Sequence, residues 1–166
     1  MADATLGRRK RGYQKHKAQT YQQQWAFRVV VPDSTIDFDL FAKDITYGAV
    51  EIEGEAKVIG GGTYTEPVSA APVILGVTIR DNELEEFATW FDAQAAKIIN
   101  PNGTKNLPVN YLFNIEVYSI LKNDTEKLRH TWKVYAASRG DRTESVDDLG
   151  TYVSYPVTFQ QYYSLG

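Results

Sequence analysis

The stretch VILGVTIRDNELEEFATWFDAQAAKIINPNG, residues 73–103, decides how the rest of the chain is read. Val73 to Ile79 is a short apolar run rich in β-branched residues, and then the period changes. Leu84, Phe87, Ala88, Phe91, Ala95 and Ile98 recur at the three- and four-residue spacing that places side chains on one face of a helix. Asn82 stands where an N-cap belongs, Glu85 completes a capping-box pattern, and Asn100-Pro101-Asn102-Gly103 supplies the stop. One strand feeding one amphipathic helix, in a chain whose other periodic segments alternate, predicts a mainly β, α+β fold.

Downstream, three strands are predicted, Val109 to Leu121, Leu128 to Ala137 and Thr151 to Tyr163. Asn123-Asp124 forms the first turn, and a longer polar connection runs from Gly140-Asp141 to Leu149-Gly150. Upstream, Trp25 to Val31 is a β-rich run stopped by Pro32-Asp33-Ser34, and Ile36-Asp37-Phe38-Asp39-Leu40 alternates, so the two suggest a hairpin. Ala49 to Val58 alternates as well, with Glu51, Glu53 and Glu55 on one side and Val50, Ile52, Ala56 and Val58 on the other. The segment from Gly60-Gly61-Gly62 through Tyr64 and Pro67 to Ala70-Ala71-Pro72 has too much Gly and Pro for a central strand. It reads as an exposed excursion with a glycine hinge. The sum is about seven strands and one helix, arranged as a β-sandwich or small barrel with the helix on a flank or end, and without internal repeats.

A length of 166 residues fits one domain, taken as 25–166, behind an arm of residues 1–24. The aromatic content of 13%, with 11 Tyr, favours strands. With no Cys, neither disulfides nor thiolate metal sites support the fold. No apolar run is long enough to span a bilayer, and the basic N-terminus lacks the apolar centre of a secretory signal. The net charge of −3 hides an asymmetry: residues 1–24 carry six Lys or Arg against one acid, the remainder twelve against twenty. The arm, with Arg8, Arg9, Lys10 and Arg11, is expected to be unstructured until it meets the acidic surface of a neighbouring copy. Nucleic-acid binding, with Tyr13 or Tyr21 stacking on bases, is the alternative for the same segment.

Motifs for chemistry are sparse. His16 and His130 are the only histidines, and neither has carboxylates at metal-ligand spacing; His130, alternating with Leu128 and Trp132, reads as a strand histidine. There is no nucleophile elbow, and the three glycines lack the Gly-Lys-Ser/Thr of a phosphate loop. Arg139-Gly140-Asp141, Asn102-Gly103-Thr104 and Asn123-Asp124-Thr125 match short adhesion and glycosylation patterns but read as turns. No enzyme activity, metal or cofactor is expected.

The passage Val77 to Asn82, followed by Phe87, Trp90 and Phe91, resembles the tail-tube proteins of contractile-tailed bacteriophages. So do the strand Tyr111 to Val117, the aromatic strand Trp132-Lys133-Val134-Tyr135 and the final run Tyr155-Pro156-Val157-Thr158-Phe159-Gln160-Gln161-Tyr162-Tyr163. The resemblance covers residues 72–163 and, loosely, the Gly-rich segment before them. It implies a structural subunit that forms hexameric rings, stacked into the inner tube of a virion tail. Such a subunit would be assembled in the bacterial host cytoplasm, beside sheath, baseplate or tail-terminator proteins and without membrane insertion. Asp37, Asp39, Glu51, Glu53 and Glu55 would then line a lumen through which DNA passes without sticking. Gly60, Gly61, Gly62, Tyr64 and Pro67 would touch the adjacent ring. Ala136-Ala137, where the family often has a proline, and the Arg-rich leader point to a specialised relative. Examples are a tube initiator or a hub-proximal baseplate ring, and a type VI secretion tube-like protein is a separate alternative of the same fold.

Overall fold

In the computed structural model, which describes residues 2–147 and 150–164, the chain runs α1 (Ala2–Ala18), β1 (Phe27–Val30), α2 (Phe38–Phe41), β2 (Ala42–Tyr47), β3 (Ile52–Ile59) and β4 (Gly62–Ala70). It continues through β5 (Ile74–Arg80), α3 (Glu86–Ala96), α4 (Pro108–Tyr111), β6 (Phe113–Ile120), β7 (Glu126–Arg139) and β8 (Ser154–Gln161). Met1, residues 148 and 149 of the Gly140–Gly150 connection, Leu165 and Gly166 lie outside the described residues.

Strict alternation builds the main sheet, an antiparallel set in the order β1-β6-β7-β8-β5-β2. Phe159 sits opposite both Leu75 and Ala136, Val157 opposite Val77, and Val29 opposite Val117, so all seven share one face and all are buried. Against that face pack Phe87, Trp90 and Phe91 of α3 and Phe38 of α2. Ring centroids of Phe38 lie 5.3 Å from Phe87 and 5.9 Å from Phe159, those of Phe113 5.6 Å from Trp90. Each such aromatic removes enough apolar surface from water to contribute about 1.5–3 kcal/mol, which is how a chain without cross-links holds its core.

The sheet is rolled but not closed. Tyr47 on β2 reaches across to Trp132 on β7, 4.9 Å between centroids, although two strands separate them in the sheet. The edge strands β1 and β2 are left on either side of an open cleft of about 440 Å³, lined by Phe27, Ile45 and Tyr47 among others. The α+β class therefore stands, while the closed barrel or sandwich does not form, because the second sheet is a two-stranded ribbon and not a facing layer.

Several local expectations change. Ile36 to Leu40 is not a strand and makes no hairpin with β1, which pairs with β6 instead. Phe38 and Phe41 bury the same side of a helical turn, and Asp39 Oδ1 accepts the Val29 N–H at 3.2 Å, blunting the free edge of β1. Val109 to Tyr111 is also a helical turn, begun by Pro108, whose fixed φ suits a first helical position. Ala42–Tyr47, an edge strand, and Gly62–Ala70 join the strands, giving eight among the described residues. Helix α3 starts through a different set of bonds from a capping box. Asn82 Oδ1 accepts the Glu86 N–H, while the Asp81 carboxylate takes those of Phe87 and Ala88 at 3.2 and 3.1 Å. Glu85, at φ 52°, turns away to pair with Arg142. Tyr155 donates to the same Asp81 at 2.6 Å, and burial, then this bond, pushes the phenol above its ordinary range.

Candidate assembly surface

The most conspicuous surface is the ribbon. Strands β2 and β5 pair within the sheet, and their continuations β3 and β4 pair beyond it, linked by the Ala71 N–H to Glu51 carbonyl bond of 2.9 Å. At about 3.4 Å per residue, the eight residues of β3 carry the ribbon about 27 Å outward. The tip is Gly60-Gly61, with φ of +58° and +83° between the paired Ile59 and Gly62. Two consecutive positive φ values make the hairpin turn whose twist matches the strands, and glycine adopts them without strain. The triple glycine is thus a turn and not a hinge. The expected Gly60 to Pro72 excursion is a strand, allowed its proline because neither ribbon strand is a central one.

Every residue from Glu51 to Ser69 is exposed. Register places Glu53 opposite Ser69, Glu55 opposite Glu66 and Lys57 opposite Tyr64 on one side. Gly54, Ala56, Val58, Thr63 and Thr65 share the other with Ile52, and a Cβ added at Gly54 would run into the Thr65 methyl. The predicted division into a carboxylate side and an apolar side is present, but the apolar side is uncovered, with Ile52 57% and Val58 72% exposed. On the charged side Glu53 accepts from Ser69 Oγ at 2.7 Å, Lys57 pairs with Glu66, and Glu55 faces Glu66 directly across the strands.

Asp37 and Asp39 do not join this face. They belong to the α2 turn, where Asp39 lies 4.0 Å from Arg28 and Glu126 lies 3.0 Å from it. The bond that Arg28 donates to Glu126, ahead of that carboxylate's charge, holds the guanidinium still more firmly protonated. Of the lumen set read from alternation, Glu53 and Glu55 share a side of the ribbon, and Glu51 stands just before β3.

The arm departs most from expectation. Arg8, Arg9, Lys10 and Arg11 fall on helix α1, which spans 17 residues, and Arg9, Lys10, Arg11, Lys15 and Lys17 are exposed. Sequence reasoning missed it because a helix with no apolar stripe has no period to find. Past its end, Gln22 donates to Ser119 Oγ at 3.0 Å and accepts from Arg129, tying the chain to the body.

The sequence motifs resolve into structure. His130 stacks on Trp132 at 4.8 Å, Arg139 pairs with Asp92, and Gly140 donates to the Pro156 carbonyl at 2.7 Å. Asn102 and Asn123 accept bonds inside their own turns from Thr104 and Thr125. Among the described residues no three His, Asp or Glu side chains gather as a metal site, and no helix is long and apolar enough to cross a membrane.

Fold and surface together define a rolled antiparallel sheet with one flanking amphipathic helix and a projecting amphipathic ribbon. This fold is shared with solved components of contractile injection systems. The sheath/tube terminator of the extracellular contractile injection system PVC, in its extended state, superposes with a TM-score of 0.63 at 12% identity, covering 88% of this chain and 96% of that one. A chain of the PVC sheath-tube complex gives 0.60 at 13% identity, covering 88% and 90%. The tube terminating cap of the anti-feeding prophage gives 0.57 at 12%, covering 87% and 89%. The sequence matches no protein-family model and no curated protein.

Proposed function

We propose that this chain is a non-enzymatic structural subunit of a contractile injection tail, building a ring of the inner tube type with copies of itself. The observation that carries the reading is the β3–β4 ribbon, whose apolar side is uncovered among the described residues and whose free edges and length suit a neighbouring subunit. The shared fold with terminator, cap and sheath-tube chains supports the same role. In this reading six subunits close a ring, the ribbon crosses to an adjacent ring, and sheath and other tail proteins are further partners. Cargo passes through the lumen without specific binding, and no cofactor is needed.

A second reading within the same role is the terminating ring, favoured because two of the three structures described are a terminator and a cap. Electron microscopy of the purified chain separates the readings. Tubes of stacked rings indicate the repeated subunit, and single rings that do not elongate indicate the terminator. A chain that stays monomeric at every concentration and ionic strength, alone and with sheath protein, overturns both.

A further inference from the structure

Among the described residues, helix α1 is met by Tyr21 just past its own end, whose hydroxyl bonds His16 Nδ1 and whose ring stacks on the imidazole. The helix carries six Lys or Arg against one Asp, so opposite-charge pairs four residues apart are nearly absent, and Arg11 and Lys15 place like charges at that spacing. Gly7 and Gly12 lie in its interior, where each costs about 0.5–1 kcal/mol relative to alanine. A helix polar on every side and poor in opposite-charge pairs either bridges to something else or does not persist on its own. The something must be anionic, elongated and short of cations.

The charged side of the ribbon meets that description. Residues 51–70 carry Glu51, Glu53, Glu55 and Glu66 against Lys57 alone, and the Glu55–Glu66 juxtaposition is one that sheets normally avoid. Its carboxylates, Glu51 to Glu55 with Glu66 opposite Glu55, lie along about 14 Å of strand, and the outer part of the same side carries Lys57, Tyr64 and Ile59. The basic residues of α1, Arg8 to Lys17, span about 14 Å of helix. Charge and length therefore match, with acid on one element and base on the other.

We infer that α1 of one copy lies along the carboxylate side of the β3–β4 ribbon of a neighbouring copy, with Lys10, Arg11 and Lys15 among its contacts. This rests on the reading that copies of the chain assemble, and it deepens that reading by naming what each side of the ribbon meets. The apolar side packs on a neighbour's body, and the acidic side is strapped by a neighbour's arm. Bare carboxylates facing a lumen, and nucleic acid on the arm, are the competing assignments.

The absence of native cysteine makes the test direct. Full-length Gln14→Cys and Ser69→Cys chains are mixed and treated with a short thiol-specific bifunctional cross-linker, and heterodimers are counted at low and high salt, with electron microscopy of the same samples. The expected result is a heterodimer that falls about tenfold when Lys10, Arg11 and Lys15 are changed to Glu in the Gln14→Cys chain, and returns when Glu51, Glu53 and Glu55 are changed to Lys in its partner. Heterodimer without rings supports the contact while removing the ring assembly. Rings without heterodimer overturn the contact while sparing the ring assembly. Heterodimer insensitive to both charge reversals also overturns it, as does salt-dependent retention of a DNA duplex by α1 that leaves cross-linking absent.

Discussion

The rolled sheet and the ribbon that leaves it are two halves of the same pair of strands, yet identical alternation meets opposite fates in them. In the β2–β5 half, Leu75 and Val77 are buried beneath α2 and α3; in the β3–β4 half, Ile52 and Val58 stand in water. Alternation decides which side chains share a face, and only what packs on that face decides whether it is dry. The half that is covered by its own chain determines stability. The half that is uncovered is the one proposed to govern association.

This division gives an ordered set of outcomes. Phe159→Ala, at a fully buried ring touching Phe38, Phe91 and Phe113, should cost about 3–5 kcal/mol in denaturant unfolding. Tyr155→Phe should cost about 1.5–3 kcal/mol at neutral pH by removing the bond to the charged Asp81. Because the folded phenol titrates above its ordinary value of 10, its contribution is complete below pH 10 and declines as pH rises beyond it, where the unfolded chain releases the proton first. Wild type should therefore approach the variant in stability above pH 10, and a constant difference across that range would remove the bond from the account.

Smaller effects belong to the ribbon. Gly61→Ala places a side chain at φ +83° and should loosen the tip by about 1–2 kcal/mol, seen as faster amide exchange in β3 and β4 while β5 and β8 are unaffected. Val58→Asp, at a 72% exposed position, should shift unfolding by no more than about 0.5 kcal/mol yet stop ring stacking in electron microscopy. A large loss of monomer stability in that variant would mean that the apolar side is covered within the chain, and the contrast between the two halves would fail. Lys57→Ala, losing an exposed ion pair, should cost about 0.2–1 kcal/mol locally.

Much of the covered half was legible in sequence. The strands ending at Ile79, Leu121, Ala137 and Tyr163 and the helix through Phe87 and Phe91 follow from periodicity, because burial on one face writes that periodicity. Ile36 to Leu40 misleads because Phe38 and Phe41, three apart, carry the burial, while Asp39 serves a backbone donor ten residues earlier in the chain. Gly60-Gly61 reads equally as hinge or as turn until the pairing of Ile59 with Gly62 is known. The separation of Glu53 and Glu55 from Ile52 and Val58 was readable. What lies against either side was not, since alternation fixes which side chains share a face and carries nothing about what packs on it.

The continuity of the ribbon with β5 bears on how the subunit carries load. Force applied to the ribbon along its axis enters β5, which is paired over its whole length with β8 on one side and over most of it with β2 on the other. Pulled lengthwise, these strands must break many hydrogen bonds at once, in shear, instead of peeling them apart singly as in a zipper. The ribbon is anchored in a strand paired on both sides, so tension along it is resisted by many bonds acting together.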